Sequence, residues 1–538
     1  MTLIKAAVAY AGFLRGLPAF LRQRLTEADA RAIIQRRLAE RQSNFLATLE
    51  RAVFENQTSP YRKLMSVAGC SPADVRELVA TEGVEGALAE LREAGVYVSY
   101  EEFKATRPIL RGSQRVEVRA EDFDNPGARH YHAVSTGGST GGARQVLLDL
   151  EHLTARLPMI LLGDLYHELY GIPTAFWFEI PPGNGLDSVL LRVPVQNLPE
   201  RWFSPIRGGS DGAAWSFRFA TTAAVAVARA SGAHVPRPEH LPLSEAHVIA
   251  QWARDALRRR GACGIRAHVS KALRICVAAN EAGIDLTGAV FVMGGEPPTP
   301  AKVAEIQRTG ARFYSTYYFT EGGAVGMSCT TSDHPNDHHF FADHLAMIQA
   351  SRTVPGFDVS VPSFHFTTLL SSAPKVLLNV ESDDFGVVER RACGCPFEAL
   401  GLTTHIKDIR SFRKLTGEGV TLIGSDMERI LEHDLPARFG GSSLDYQLVE
   451  EEDERGFTRL TLFVHPSVRL ENESEPIEVI LALLARGGGA ADMSRGVWSQ
   501  AGTFRVRREP PSVTARGKQP LLRLRANSSA AEALVERV

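Results

Sequence analysis

The feature that most constrains the fold is the stretch at positions 132–144, which contains four glycines, four serine or threonine residues and a closing arginine. Such a stretch cannot hold a regular helix or a central strand, because glycine loses too much backbone entropy there. Its backbone N–H groups and hydroxyls can instead turn toward one anion, as in phosphate-binding nests. It is not a Walker loop, since no Gly-Lys-Ser/Thr follows at the required spacing. A flexible connector is the alternative interpretation of this stretch alone.

Length and composition limit the class of protein. At 538 residues the chain is too long for one ordinary core, so we expect two or more domains. The 44% hydrophobic content is typical of a globular protein, and the net charge of −2 indicates no nucleic-acid partner and no membrane partner. Six scattered cysteines do not suggest a disulfide framework, and the apolar start is too short to span a bilayer. We therefore expect a cytoplasmic protein.

The hydrophobic pattern changes along the chain. Residues 1–95 predict amphipathic helices, and residues 176–180 and 189–193 predict strands. A strand at 289–293, a helix at 300–307 and a strand at 311–319 predict a β-loop-α-β unit, with ligands at the carboxyl ends of its strands. A hairpin at 444–464 and a helix at 475–484 predict a compact module. The predicted class is α/β, with a large N-terminal α/β domain (1–408) and a small C-terminal α+β domain (409–538).

Three further motifs follow the glycine-rich stretch. Residues 294–297 (Gly-Gly-Glu-Pro) and 317–321 (Tyr-Tyr-Phe-Thr-Glu) each end a predicted strand, and Lys518 lies in a late Gly-Lys pair. Taken singly, ordinary strand-end charges and a solvated lysine explain these residues better. In this order and at these separations, however, the set resembles the adenylate-forming superfamily of acyl-CoA synthetases, peptide-synthetase adenylation domains and luciferases. Residues 59–64, residues 338–344 and a late cysteine pair make the chain most similar to the phenylacetate–CoA ligase-like branch.

The resemblance implies activation of a carboxylic acid by ATP, with a mobile C-terminal domain. Asp384, or alternatively Asp383, matches the aspartate that binds the ribose hydroxyls, and Arg410 matches its assisting arginine. Thr320 and Glu321 match the residues that contact phosphate and Mg²⁺, and Lys518 matches the lysine that reaches the reacting oxygens. Together with these catalytic residues, the implied nucleotide-binding residues are Thr136, Gly137, Gly138, Ser139, Thr140, Gly141, Arg144, Gly294, Gly295, Glu296, Pro297, Tyr317, Tyr318, Asp384 and Arg410.

Cys393 and Cys395 form a tight Cys-x-Cys pair, and Cys329 precedes a histidine-rich segment at 333–344. Thiolate and imidazole ligands suit tetrahedral Zn²⁺, and a closed set of four would be structural. Buried free thiols with surface histidines are the alternative. By the match to the branch, His339 is the predicted fourth ligand, with His334 and His338 as rivals.

The predicted reaction is formation of an acyl-adenylate with pyrophosphate release, followed by transfer to a thiol, most simply coenzyme A. Nearby aromatic residues favour an aromatic acid (Trp177, Phe178, Tyr314, Tyr317 and Phe319). Phe412 stands where the family usually has an acidic hinge residue. This difference keeps two alternatives open. The acyl group could pass to a carrier protein or an amine, or the activated acid could be nitrite, in the diazotisation of an aromatic amine. A homodimer is possible from the branch.

Overall fold

The computed structural model describes most of the chain. Its described residues are 3–128, 131–135, 145–181, 183–206, 212–296, 298, 300–332, 334, 336–353, 360–411, 414–417, 420–423, 427, 429–442, 445–455, 457–485, 498–512 and 522–524. Four groups of predicted residues lie outside these ranges: the loop from Thr136 to Arg144, then Pro297, Phe412 and Lys518.

The helices cluster in the first half of the chain. Capping boxes begin several of them; in α5, for example, Ser71 accepts from the Asp74 backbone while Asp74 accepts from that of Ser71. The helices are α1 (Leu3–Leu21), α2 (Glu27–Ala39), α3 (Arg41–Leu49), α4 (Pro60–Val67), α5 (Pro72–Glu93), α6 (Tyr100–Phe103), α7 (Leu150–Tyr166), α8 (Gly185–Leu190), α9 (Gly212–Ala230), α10 (His247–Arg260), α11 (Val269–Glu281), α12 (Pro300–Gln307), α13 (Leu435–Phe439) and α14 (Glu475–Ala485).

The strands form one large sheet and several small ones. They are β1 (Ile109–Arg111), β2 (Gln114–Val116), β3 (Tyr131–Ser135), β4 (Gln145–Asp149), β5 (Thr174–Trp177), β6 (Arg201–Ser204), β7 (Pro238–His240), β8 (Cys263–His268), β9 (Ala289–Gly294), β10 (Arg312–Phe319), β11 (Gly323–Ser328), β12 (Asp337–Phe340), β13 (Leu345–Thr353), β14 (Ser360–Thr368), β15 (Val380–Arg390), β16 (Thr404–Ser411), β17 (Lys414–Gly417), β18 (Val420–Ile423), β19 (Tyr446–Glu452), β20 (Thr458–Val464), β21 (Phe504–Arg507) and β22 (Leu522–Leu524).

The large sheet has twelve strands in the order β13-β14-β15-β16-β12-β11-β10-β9-β8-β5-β6-β7. From β10 to β7 each neighbouring pair is parallel, whereas β10 pairs antiparallel with β11. Parallel strands buried on both faces need crossover helices, and α11 and α12 supply them between β8, β9 and β10. The predicted α/β class and the β-loop-α-β unit are therefore confirmed.

Hydrophobic clusters cover both faces of the parallel half. One joins α10 and α11 to residues of the C-terminal part, including Leu448 and Trp498. The other joins α1, α7 and α9 on the opposite face. A third packs α3–α5 against β13 and β14. The parallel strands are therefore covered on both sides, and their carboxyl ends remain as the place for a ligand.

The C-terminal part contains a four-stranded sheet in the order β21-β20-β19-β22. The predicted hairpin and the predicted helix at 475–484 correspond to β19, β20 and α14. Strand β16 belongs to the large sheet and continues to Ser411, beyond residue 408 where the domain boundary was predicted. Within the described ranges, no helix has both the length and the apolar character needed to cross a bilayer.

The predicted strand at 189–193 is wrong, because this segment includes the end of α8, which is followed by turns. Val189, Leu190 and Leu191 are buried in the cluster on the α7 face. A short apolar run has no periodicity that separates a buried strand from a buried helix.

Candidate active site

The two predicted motifs that the structure describes meet where β9 and β10 end. Gly294 is the last residue of β9, and Thr316 of β10 pairs with it in register. Thr320 and Glu321 lie in the turn between β10 and β11. Because neighbouring parallel strands end at the same edge of a sheet, these separate segments form one surface.

Glu321 is buried and accepts a hydrogen bond from Lys104 Nζ, with 2.6 Å between Nζ and Oε1. Burial alone would raise the pKa of Glu321, but the ammonium of Lys104 outweighs it and holds the pKa below its ordinary value. The carboxylate is therefore ionised and paired. Lys104 follows α6, far away in sequence, and no motif indicated it.

Tyr317 donates a hydrogen bond from its hydroxyl to Asp384 Oδ2 across 2.7 Å. Burial and the Asp384 carboxylate raise the pKa of Tyr317 well above its ordinary value, so the phenol keeps its proton. Asp384 lies on β15, where Phe385 pairs with Arg410 of β16. The structure thus brings the predicted tyrosine and aspartate into contact and places the predicted arginine on the strand next to the aspartate. Asp383, the alternative aspartate, is buried.

Tyr318 lies beneath a cation from α7, since Arg156 Cζ is 5.3 Å from its ring centroid.

Gly295 has a φ of 79°, the left-handed conformation that glycine adopts without strain. This turn directs Glu296 inward, where the carboxylate accepts hydrogen bonds from the Ser270 hydroxyl and backbone and lies 3.7 Å from Lys302 Nζ. Glu296 therefore anchors the turn after β9 to α11 and α12.

Residues 136–144 lie outside the described residues, but their flanks are described. Ser135 and Gln145 pair as the last residues of an antiparallel hairpin formed by β3 and β4. Helix α7 starts directly after β4, and a Cβ on Gly323 would lie 3.5 Å from His152 Cε1. The hairpin therefore leads into a helix that begins beside the turn carrying Glu321.

A second polar cluster lies at the carboxyl ends of β5 and β8. Glu179 pairs with the fully buried Lys271 and lies 3.5 Å from His268 Nε2. Lys271 outweighs the effect of burial and lowers the pKa of Glu179. His268 Nδ1 is 3.4 Å from the Gly294 carbonyl oxygen, so the cluster contacts the turn after β9. Sequence reasoning missed these three residues, because single charged residues at strand ends carry no motif.

Two predicted aromatic residues do not lie at this surface. Trp177 is fully buried and belongs to the cluster shared with α10 and α11, where its Nε1–H donates to the Leu241 carbonyl. Tyr314 packs its ring against His167 at 3.8 Å between centroids. Phe178, by contrast, contacts the His268 ring at 5.3 Å.

The candidate metal ligands form one compact group. Ligand atoms of Cys329, His339, Cys393 and Cys395 lie within 4.8 Å of one another. His339 Nε2 is 3.6 Å from Cys393 Sγ and 2.9 Å from Cys395 Sγ. Zinc bond lengths in a tetrahedron separate sulfur from nitrogen by about 3.6 Å, which the Cys393 distance matches and the Cys395 distance falls short of; the group fits the ion in donor type and number. The rival histidines have other contacts. His338 Nε2 is within hydrogen-bonding distance of the Ser315 hydroxyl, and His334 Nε2 lies 3.4 Å from Asp408 Oδ1.

Surrounding residues orient these ligands. His339 Nδ1 lies 2.7 Å from the Leu402 carbonyl oxygen, which directs Nε2 toward the thiols. Glu398 accepts from the backbone N–H groups of Cys393 and Gly394. A hydrogen bond from the Cys395 thiol lowers the pKa of Cys329, and this contact raises the pKa of Cys395.

His405 is a further candidate ligand that sequence reasoning missed. Its ring packs 4.1 Å from that of His339, and its Nδ1 is 2.8 Å from Asp337 Oδ1. Its buried Nε2 has no hydrogen-bond partner among the described residues, and His405 groups with Cys329 and Asp337. Histidines that bind metals commonly pair with a carboxylate that orients the imidazole ring.

No protein-family model and no curated protein sequence matches the chain. Among solved structures, it is similar to 2-hydroxyisobutyryl-CoA ligase in complex with 2-HIB-AMP and CoA. The identity is 15%, the match covers 96% of this chain and 94% of that one, and the TM-score is 0.52. The amide bond synthetase McbA from Marinactinospora thermotolerans also matches, with 14% identity, 90% and 92% coverage and a TM-score of 0.41, too low to support a conclusion. Over nearly its whole length, the chain therefore has the fold of a CoA ligase, as the resemblance to adenylate-forming enzymes predicted.

Proposed function

We propose that the protein activates a carboxylic acid with ATP and transfers the acyl group to a thiol. The acid's oxygen attacks the α-phosphorus, pyrophosphate leaves, and a thiol then attacks the acyl carbon and releases AMP. The observation that carries this proposal is the convergence at one sheet edge of Glu296, the Tyr317–Asp384 pair and the Lys104–Glu321 pair. The CoA-ligase fold supports it.

The first step brings one anion against another, so positioning and charge neutralisation carry most of the catalysis. Residues 136–144 bind the triphosphate in this proposal, with Arg144 as the cation. Lys518, from the C-terminal domain, contacts the reacting oxygens. Both assignments come from the sequence motifs.

The nucleoside binds beside β10 and β15 in this proposal. The Tyr317 and Tyr318 rings and the backbone at Gly294 and Gly295 are assigned to the flat faces of adenine. The Tyr317 hydroxyl holds the Asp384 carboxylate in place, and that carboxylate accepts hydrogen bonds from the ribose hydroxyls. Arg410, on the strand next to β15, is the assisting arginine in this proposal.

Glu321 is the protein ligand that we propose for Mg²⁺, since that ion prefers oxygen donors. The ion would reduce the negative charge of the phosphate oxygens. In this structure Lys104 occupies one carboxylate oxygen of Glu321. Lys104 therefore keeps Glu321 ionised and fixes its side chain for nucleotide binding.

The four-residue group Cys329, His339, Cys393 and Cys395 is proposed to hold a structural Zn²⁺. All four ligands come from the protein, which leaves no open position for a substrate. The ion would join the start of the loop after β11, strand β12 and the loop after β15. These ligands, with the ion bound, would support the antiparallel half of the sheet that carries Asp384.

The test is a pyrophosphate-exchange screen over aromatic acids, fatty acids, amino acids and nitrite. Products are then identified by mass spectrometry with coenzyme A, a carrier protein or an amine present.

Glu321→Gln removes a charge at constant shape, and we expect at least a 100-fold loss of exchange, the scale of one electrostatic contact to a transition state. The matched control is Glu168→Gln, which changes an exposed glutamate in the turn after α7, paired with Arg312.

Lys518→Ala should greatly reduce exchange while ATP binding is largely retained. Absence of exchange with every acid, at ATP concentrations where binding is measured, would exclude the proposed function. If exchange occurs but no CoA thioester forms, the activation step stands and the proposed acceptor is wrong.

A further inference from the structure

One cleft in the described part of the chain lies beside the proposed site and has no role in it so far. It runs between α7 and β11, encloses about 720 Å³ including space open to solvent, and reaches Gly322 and Gly323 directly after Glu321. The cleft therefore starts at the turn where the activated carboxylate would lie.

The cleft is elongated because one complete face of α7 forms its wall. The residues of that face recur at helical spacing and are His152, Ala155, Arg156, Met159, Ile160 and Asp164. At 1.5 Å per residue, the distance from His152 to Asp164 is about 18 Å. The occupant is therefore elongated.

The chemistry changes along this face. His152 and Arg156 lie at the end near Gly323, and the middle is apolar, lined by Met159, Ile160 and Met327 of β11. Charged groups return at the far end, where Asp164 and Arg192 line the cleft. An apolar ligand with a polar group at each end fits this order.

The far end has an excess of positive charge. Asp164 accepts from Arg266 and from Asn197, and Arg192 Nη1 is 3.3 Å from Asp164 Oδ2. Two guanidinium groups thus share one carboxylate. Burial and the repulsion of Arg266 lower the pKa of Arg192 to about 9, which leaves it charged near neutral pH.

Arg192 also has unused donors. Its side chain is only 8% exposed, Nε has no hydrogen-bond acceptor among the residues that the structure describes, and Nη1 has only the ion-pair contact with Asp164. Buried guanidinium donors without acceptors are costly, so an anionic group here would be stabilised. A carboxylate matches the planar donors of arginine better than a neutral oxygen does.

We propose that this cleft binds the acid substrate, and that the acid carries a second carboxylate, remote from the reacting one, that pairs with Arg192. The proposal rests on the proposed function, because it takes the ligand to be the acid that is activated. The substrate class is thus an elongated dicarboxylic acid with an apolar aromatic or aliphatic body.

The test uses the full chain and two matched acid pairs: octanoic against suberic acid, and phenylacetic against 1,4-phenylenediacetic acid. Titration calorimetry without ATP measures binding, and pyrophosphate exchange measures activation. We expect each diacid to bind at least about tenfold more tightly than its partner, the effect of one charge-assisted hydrogen bond. Arg192→Met should remove this preference while the monoacids still bind.

A second variant tests the location independently of the buried charges. Ile160→Trp fills the middle of the cleft and should weaken both diacids at least tenfold, whereas Ile160→Val should not. Equal binding of diacid and monoacid, or unchanged binding to Ile160→Trp, would overturn the proposal. Binding of diacids without pyrophosphate exchange by any acid would instead reject the proposed function and leave the cleft assignment standing.

Discussion

Glu321 is one half of a buried ion pair with Lys104, so a change at either residue affects the stability of the fold as well as the site. Removing one partner of such a pair leaves a buried charge uncompensated and typically costs about 3–5 kcal/mol. Lys104 and Glu321 are 12% and 9% exposed, so solvent compensates little.

We expect Lys104→Met to lower the free energy of unfolding by about 3 kcal/mol, measured by chemical denaturation. Lys63→Met, on an exposed position of α4, is the control and should change it by less than about 0.5 kcal/mol. Adding Glu321→Gln should recover part of the loss, since it removes the unpaired charge. No recovery in the double variant would contradict the buried-pair interpretation.

The four-ligand group leads to a prediction about metal content. Cys393→Ser with Cys395→Ser should reduce bound zinc from about one ion per chain to almost none, and should lower the melting temperature. Mass spectrometry of the metal in the intact protein measures this directly. Cys70→Ser is the control, because this half-buried thiol lies outside the group. An intact protein purified without zinc would reject the site.

At the scale of single elements, β14 carries a buried histidine that links its stability to pH. Burial and the nearby cations Arg92 and Arg352 lower the pKa of His365 to about 4. An unfolded histidine titrates near 6.5, so between about pH 6.5 and 4 the unfolded state binds the extra proton. Stability therefore falls as the pH falls through this window.

We expect His365→Gln to reduce the slope of unfolding free energy against pH by about 1.4 kcal/mol per pH unit in that window. Urea titrations at several pH values measure the slope. His247→Gln is the control, on an exposed position at the start of α10. An unchanged slope in His365→Gln would show that another group carries the acid sensitivity.

At the scale of the whole molecule, Lys302 connects the candidate site to the C-terminal part. Its Nζ lies 3.7 Å from Glu296 Oε2 and donates to Thr458 Oγ1 across 3.1 Å. Gln500 and Arg274 add contacts between the same two parts. A C-terminal domain that rotates during catalysis, as the resemblance implies, would have to break these contacts.

Lys302→Met should therefore lower stability by about 3 kcal/mol, because it leaves the buried Glu296 carboxylate without its cation. It should also make the C-terminal part more sensitive to limited proteolysis. Arg455→Met removes an exposed ion pair with Glu281 between the same two parts and should cost at most about 1 kcal/mol. Equal proteolysis of both variants would show that Lys302 does not hold the parts together.

Sequence patterns determined the α/β class, the β-loop-α-β unit around residues 289–319 and the C-terminal hairpin. They succeeded because the alternation of polar and apolar residues, the helical spacing of apolar residues and the position of glycines at turns are local properties. They also identified the four residues of the candidate metal group, through the Cys-x-Cys spacing and the resemblance. The run at 189–193 failed because burial on all sides removes the periodicity that separates strand from helix.

Only the tertiary structure decided which distant charges meet. The pairs Lys104–Glu321 and Lys271–Glu179 join residues that no motif connects, and Trp177 proved to lie in the core. The cleft along α7 and the unsatisfied donors of Arg192 likewise exist only after packing. The physical reason is that desolvation and Coulomb energy depend on distance in space, which a sequence does not contain until the sheet brings its strand ends together.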